Sequence, residues 1–290
     1  VQPQSIHHKR GCLFRLARGL LIVFLIWLAL NILGMVYQQA AEASDKHAYP
    51  PPGQMVDVGG YRLHLHCIGK GSPTVILEAG TGGSSLDWSL VHPIIAETTR
   101  VCAYDRQGYA WSDDGTHVRT SQQVAADLHT LLVNANIEGP YVLVGHSIGA
   151  IHAQAFINLY PDEVVGLVTV DRPPAEYYLA QGLTNEEIVA TELSPGSLNW
   201  ANLLNLVGVF RLSNFPPSPV ARDLPAEFQS VYAASVFQSR YYASLMNEYA
   251  AIGSNYLYAA ALPPFSREMP FVLLASDPNA VTDPLAQTYH

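Results

Sequence analysis

The first pattern along the chain is a long apolar run. From Gly19 to Ala41 no residue is charged, and Leu20 to Tyr37 (LLIVFLIWLALNILGMVY) is almost wholly apolar. As a helix this run spans roughly 27 Å at 1.5 Å per residue, close to the ~30 Å hydrocarbon core of a bilayer. After the Pro-rich linker Tyr49–Gly53 the pattern shortens. Met55–Val58 and Tyr61–Cys67 read as strands joined at Gly59-Gly60, a hairpin signal. Polar and apolar residues alternate in Arg62-Leu63-His64-Leu65-His66. His64 and His66 therefore share a strand face and are expected to be solvated rather than to bind metal.

Short continuous apolar runs come next, at Thr74–Glu78, Arg100–Tyr104, Tyr141–Val144, Val164–Val170 and Pro270–Leu274, each ending in a loop. Such runs suit parallel strands covered on both faces. Between them, Thr120–Ile137 places Val124, Leu128, Leu131 and Leu132 on one helical face, with Thr120 and Gln123 as a candidate capping box. Ile148–Tyr160 forms a second helical pattern, bounded by Pro161. The alternation predicts an α/β fold with a mostly parallel sheet and helices on both faces.

Residues 172–268 interrupt that rhythm and read as an inserted helical cap, with a helical stretch at Glu227–Met246. Tyr241, Tyr242, Leu245 and Tyr249 lie at helical spacing; ordinary packing is the reading adopted, pocket lining the alternative. The expected organisation is 1–45 as cytoplasmic stub and membrane segment, 46–171 with 269–290 as core, and 172–268 as cap.

Composition sharpens the picture. Of 290 residues, 49% are hydrophobic and 13% charged, which excludes a disordered chain. The net charge is −9; Lys9, Arg10, Arg15 and Arg18 make residues 1–18 +4 and leave −13 on the remainder. An acidic body argues against nucleic acid as a partner. Cations before the apolar run place the N-terminus in the cytoplasm and the body outside it, on a helical anchor. The alternative is a secreted body, released by signal cleavage at Ala41-Glu42-Ala43. Cys67 and Cys102 fall in the exported part, where oxidation is permitted, and Cys12 does not. No Cys/His spacing suggests a metal site.

The chemistry concentrates at Gly145-His146-Ser147-Ile148-Gly149, a G-x-S-x-G between an apolar strand and a helix. That context fits a sharp strand-to-helix turn that exposes the Ser147 Oγ, with glycines letting the helix approach the sheet. Acyl transfer also requires oxyanion donors. The candidates are the backbone N–H groups of Ile148 and of Thr81, the latter in Gly80-Thr81-Gly82-Gly83. No Gly-Lys-Ser/Thr follows that loop, so it is a poor phosphate binder.

On these residues the chain resembles an α/β-hydrolase-fold serine hydrolase of the membrane-anchored bacterial type. The resemblance runs from the anchor through Asp277. It includes Leu77-Glu78-Ala79-Gly80-Thr81-Gly82-Gly83-Ser84-Ser85-Leu86-Asp87-Trp88 and Ala103-Tyr104-Asp105-Arg106-Gln107-Gly108-Tyr109-Ala110-Trp111-Ser112. Ala110 replaces a glycine of the family's second pattern, in which the residues at Asp105 and Arg106 are structural. The resemblance implies that the strands of Cys67 and Cys102 are neighbours, which makes a disulfide between them plausible; two buried free thiols are the alternative. It also implies a Ser–acid–His triad in that chain order. Asp277 is the favoured acid, Asp171 the alternative and Asp283 a weaker third. The family's histidine follows one further strand, for which this sequence has no counterpart. His290 is the only later histidine and a poor candidate; His146 and His152 sit in the elbow and its helix. The expectation is therefore a C-terminal truncation with the histidine unassigned.

The implied function is hydrolysis of a small-molecule carboxylic ester through an acyl-enzyme on Ser147, without metal or organic cofactor. An amidase, aminopeptidase or acyltransferase with the same machinery is an alternative, as is a catalytically incompetent protein of this fold. A serine nucleophile argues against epoxide hydrolase or dehalogenase chemistry, which in this fold uses a carboxylate.

Overall fold

A computed structural model describes residues 7–114, 118–192, 195–213, 224–263 and 268–275. Seven strands form one sheet: β1 (Gln54–Asp57), β2 (Arg62–Ile68), β3 (Thr74–Glu78), β4 (Val101–Tyr104), β5 (Tyr141–His146), β6 (Val164–Val170) and β7 (Phe271–Leu274). Their spatial order is β1-β2-β4-β3-β5-β6-β7; β1–β2 and β2–β4 pair antiparallel, and all other neighbours are parallel. The all-apolar strands occupy the middle because helices cover both faces there: every residue of β3 and β4 is buried.

The β1–β2 turn is the expected hairpin. Gly59 and Gly60 take φ of +114° and +107°, and the Asp57 carboxylate accepts the Gly59 N–H at 2.8 Å. Cys67 and Cys102 are directly opposite in the β2–β4 ladder and are joined by a disulfide.

Helix α1 (His7–Ala48) continues well past the apolar run; α2 (His92–Ile95) is a single turn. Helix α3 (Ser121–Asn134) buries Val124, Leu128, Leu131 and Leu132 as its periodicity predicts. Only half of the expected capping box forms: Thr120 Oγ1 accepts the Gln123 N–H at 3.2 Å, while the Gln123 amide turns to Asp127. Helix α4 (Ile148–Leu159) follows β5 directly.

Between β6 and β7 lie α5 (Ala175–Ala180), α6 (Asn185–Glu192), α7 (Pro195–Leu206), α8 (Val209–Ser213), α9 (Ala226–Val236) and α10 (Tyr241–Ala260). The helical stretch expected over Glu227–Met246 is thus two helices, broken at Phe237–Arg240. Packing explains the break: Phe237 O there accepts the Gln38 amide of α1, and Gln238 Nε2 donates to Ala110 O at 2.9 Å.

His64 corrects the expectation of solvated strand histidines. It is fully buried, with Nδ1 2.8 Å from Asp105 Oδ2 and its ring against Trp111. The chain after β4 folds back over this face of β2; Asp113 N donates to Arg62 O. Burial disfavours the His64 imidazolium, but Asp105 and the Pro52 carbonyl outweigh it and raise the pKa above the ordinary histidine value. Asp105 also accepts the Ser85 N–H at 2.7 Å, so this pair ties β2, β4 and the loop after β3 together.

Candidate active site

The loop from β5 into α4 is as sharp as a G-x-S-x-G requires. Ser147 has φ +52° and ψ −125°, a conformation that costs a non-glycine residue on the order of 1–3 kcal/mol. Close packing holds it there. A Cβ on Gly145 would lie 2.5 Å from Ala150 N and Cα, and one on Gly149 would lie 2.4 Å from Glu78 O and 2.7 Å from Ala79 O. Gly145 lets the first turn of α4 lie against the end of β5, and Gly149 lets it lie against the end of β3 and the loop that follows. The Ser147 N–H donates to Val170 O at 2.8 Å, pinning the turn to the end of β6.

The loop after β3 faces this turn. A Cβ on Gly80 would sit 2.7 Å from His146 Nδ1 and 3.4 Å from Ser147 Cβ. Thr81, the next residue, is half-buried, and Ile148 is the fully buried first residue of α4. The first N–H groups of a helix lack intrahelical partners, so the α4 N-terminus is a natural place for developing negative charge.

The other expected residues fall differently. Asp171 directly follows β6, is exposed, takes φ +47° and donates its N–H to Leu274 O at 2.8 Å. Burial lowers the His146 pKa, and the nearby Asp171 charge offsets this in part. His152 turns to α3: its Nδ1 is 2.9 Å from Ser121 Oγ, and burial with Arg106 and Arg119 nearby lowers its pKa to about 3. Asp277, Asp283 and His290 lie outside the described residues. Among the described residues no hydrogen bond joins a histidine to Ser147 Oγ.

Behind the loop lies a buried charge network that the sequence reading missed. Arg106 donates to Glu78 Oε1 (2.6 Å), Ala79 O (2.7 Å) and Gly80 O (2.6 Å) and pairs with Glu248 Oε1 at 2.9 Å. Glu248, on α10, accepts from the Gly82 N–H at 2.8 Å and from the Tyr109 hydroxyl at 2.7 Å. Tyr104 donates to the other Glu78 oxygen. Burial raises the Glu78 pKa despite Arg106 and Tyr104. It also opposes ionisation of Glu248, but there Arg106 and Arg119 prevail and lower the pKa. A faint signal was present: Glu248 is the one charged residue within Tyr241–Ala260. Arg106 keeps the structural role expected of it, with a definite target, the two carbonyls before Thr81.

A mostly parallel sheet carrying a strained serine turn at the carboxyl end of a central strand, faced by a glycine-rich loop, is the architecture of the α/β-hydrolase fold. The chain belongs to the alpha/beta hydrolase family, whose model matches residues 75–290. Among curated proteins, an AB hydrolase superfamily protein of Gibberella zeae is 27% identical over 159 residues, covering 53% of this chain and 47% of that protein. "Putative carbamate hydrolase RutD" of Escherichia coli is 36% identical over 101 residues, covering 34% of this chain and 38% of its own length. The chain therefore spans less than half the length of either relative. Among solved structures, an epoxide hydrolase of Vigna radiata superposes with a TM-score of 0.59 at 18% identity, covering 81% of this chain and 83% of the other.

Proposed function

We propose that the chain is a membrane-anchored serine hydrolase that cleaves carboxylic esters through an acyl-enzyme on Ser147. The observation that carries this is the strained turn holding Ser147 between β5 and α4, with Gly80 against its Cβ. Ser147 Oγ attacks the ester carbonyl as its proton passes to a histidine base, and the Ile148 and Thr81 N–H groups receive the oxyanion. Collapse expels the alkoxide, which takes that proton. Water activated by the same base then releases the acid and restores Ser147. The base is assigned to no histidine among the described residues. Asp277 is the acid that orients it, and Asp171 the alternative, beside the carbonyl that pins Ser147.

A second reading, carbamate or amide hydrolysis with the same machinery, draws support from the relative named for a carbamate substrate. The epoxide hydrolase likeness supports the fold, and Ser147 stands where that chemistry requires a carboxylate. Residues 172–268 act as the cap over a core formed by 46–171 and 269–290.

Anchoring is supported by α1, whose residues from Phe14 to Tyr37 expose most of their apolar side chains. The Cys67–Cys102 disulfide suits a body outside the cytoplasm. Secretion after cleavage near Ala43 is the alternative.

The test is fluorophosphonate labelling of the full chain in detergent, with the modified peptide mapped by mass spectrometry. Labelling at Ser147 that Ser147→Ala abolishes is the expected result. A folded chain, its disulfide intact, that takes up no label at Ser147 would overturn the proposal.

A further inference from the structure

Between Glu192 and Arg211 the sequence contains no charged residue. In the structure this stretch supplies α7 and the start of α8, and much of its apolar surface faces outward. Trp200 is 69% exposed and Leu203 53%, with Leu204, Leu206 and Val209 also open; Leu212, just past Arg211 in α8, is 67% exposed. Trp200, Leu203 and Leu204 follow i, i+3, i+4 spacing and so share one face of α7. The opposite side, with Leu198 and Asn205, packs inward. A cluster of exposed leucines and a tryptophan at one edge is more than the scattered apolar residues a soluble surface carries.

The position of this edge relative to α1 identifies what covers it. Gly34 of α1 meets the backbone of Val207, the residue after α7: a Cβ there would lie 2.4 Å from Val207 O. Gly208 meets the Tyr37 ring in the same way. Gly34 and Tyr37 belong to the apolar run itself. The polar contacts of α1 with the helices between β6 and β7 begin only beyond it. Gln38 bonds Phe237 O, Glu42 accepts the Ser239 N–H at 2.6 Å, and Asp45 pairs with Arg211 at 2.6 Å. Gly34 lies three positions before Tyr37, so Val207 lies about 4.5 Å inside the edge of the run at 1.5 Å per residue. That is close to the shallow end of the roughly 5–10 Å depth at which interfacial helices lie, with tryptophan favoured at the boundary.

We propose that the α7–α8 edge is immersed in the interfacial layer of the bilayer that α1 crosses, making this face of the protein a second membrane contact. The inference rests on the anchored reading of α1. The covering surface is the lipid itself, because the exposed face of α7 carries no charge and its end meets α1 within the apolar run, at Gly34 and Tyr37.

Two tryptophans make the test separable. Trp27 lies in the apolar run and Trp200 on the proposed edge, and both are exposed enough for Phe to be accommodated. The full chain is reconstituted in phosphatidylcholine vesicles with or without lipids brominated at acyl carbons 6 and 7. Tryptophan quenching is then compared among the wild type, Trp27→Phe, Trp200→Phe and the double variant. The expected result is that Trp27→Phe retains brominated-lipid quenching, which is lost when Trp200 is also replaced. If the wild type is quenched but Trp27→Phe is quenched no more than the double variant, the edge lies in water while the anchor holds, and the proposal is overturned. If the wild type is not quenched, the anchored reading fails and the proposal falls with it.

Discussion

Glu248 accepts the backbone N–H of Gly82 at 2.8 Å across 166 residues of sequence. One oxygen of this α10 carboxylate thus holds the residue that follows Thr81, while the other pairs with Arg106, whose guanidinium grips the carbonyls of Ala79 and Gly80. The position of the proposed oxyanion donor depends on a residue in the segment between β6 and β7.

Replacing Glu248 separates its charge from its hydrogen bond. Gln keeps an acceptor for Gly82 but leaves Arg106 and Arg119 with less countercharge, an expected loss of about 3 kcal/mol in urea unfolding. Ala also frees Gly82. Its folded fraction is expected to acylate Ser147 about tenfold more slowly than the Gln variant, a smaller effect than the ~10²–10³ for removing an oxyanion donor outright. Equal acylation rates in the two folded variants would reduce Glu248 to a stability role.

The elbow glycines should differ according to what a methyl would strike. In Gly149→Ala it meets the fixed carbonyls of Glu78 and Ala79, so a loss of about 3 kcal/mol or failure to fold is expected. In Gly80→Ala the nearest atoms belong to the His146 ring and Ser147 Cβ, so the larger effect should fall on Ser147 labelling. Gly166→Ala, whose nearest neighbour would be 3.5 Å away, is the tolerated control. Thermal melts and labelling rates of the three variants check the ranking.

His152 makes stability depend on pH with a defined sign. Its folded pKa of about 3 lies below the ordinary histidine value of 6.5. Between those values the unfolded chain binds a proton that the folded protein does not, so stability rises with pH. The contribution is complete above pH 6.5 and declines as pH falls toward 3, by at most about 1.4 kcal/mol per pH unit. His64 acts oppositely: its raised pKa gives stability below pH 6.5 that is lost as pH rises through the folded value. Urea unfolding of His152→Asn between pH 4 and 6.5 should show a flatter dependence than the wild type. An unchanged slope would disprove the assignment.

The Cys67–Cys102 bond closes a loop of sequence separation 35 between adjacent strands. Cross-links of this kind contribute about 2–4 kcal/mol, chiefly by restricting the unfolded chain. Purified protein should therefore lack free thiol at both positions, and the Cys67→Ala/Cys102→Ala variant should unfold at lower urea by that amount. Free thiol at both positions in protein recovered from an oxidising compartment would contradict the pairing.

The strands, the helices α3 and α4, the hairpin at Gly59-Gly60 and the serine turn are all legible in the residue pattern. Each is set by neighbours a few residues apart: continuous apolar runs, helical periodicity, glycines where φ is positive or a helix comes close. The apolar run of α1 is equally local. The partners those elements meet are set by the folded arrangement. His64 looked solvated because alternation reports a strand's two faces but not whether another segment covers one of them. Phe237–Arg240 breaks a helical pattern because α1 and Ala110 compete for its backbone and side chains. Glu248 could not be linked to Gly82, nor Val207 to Gly34, because those contacts join residues more than 160 positions apart, and no local pattern records which distant group will satisfy a buried charge or fill a glycine's open side.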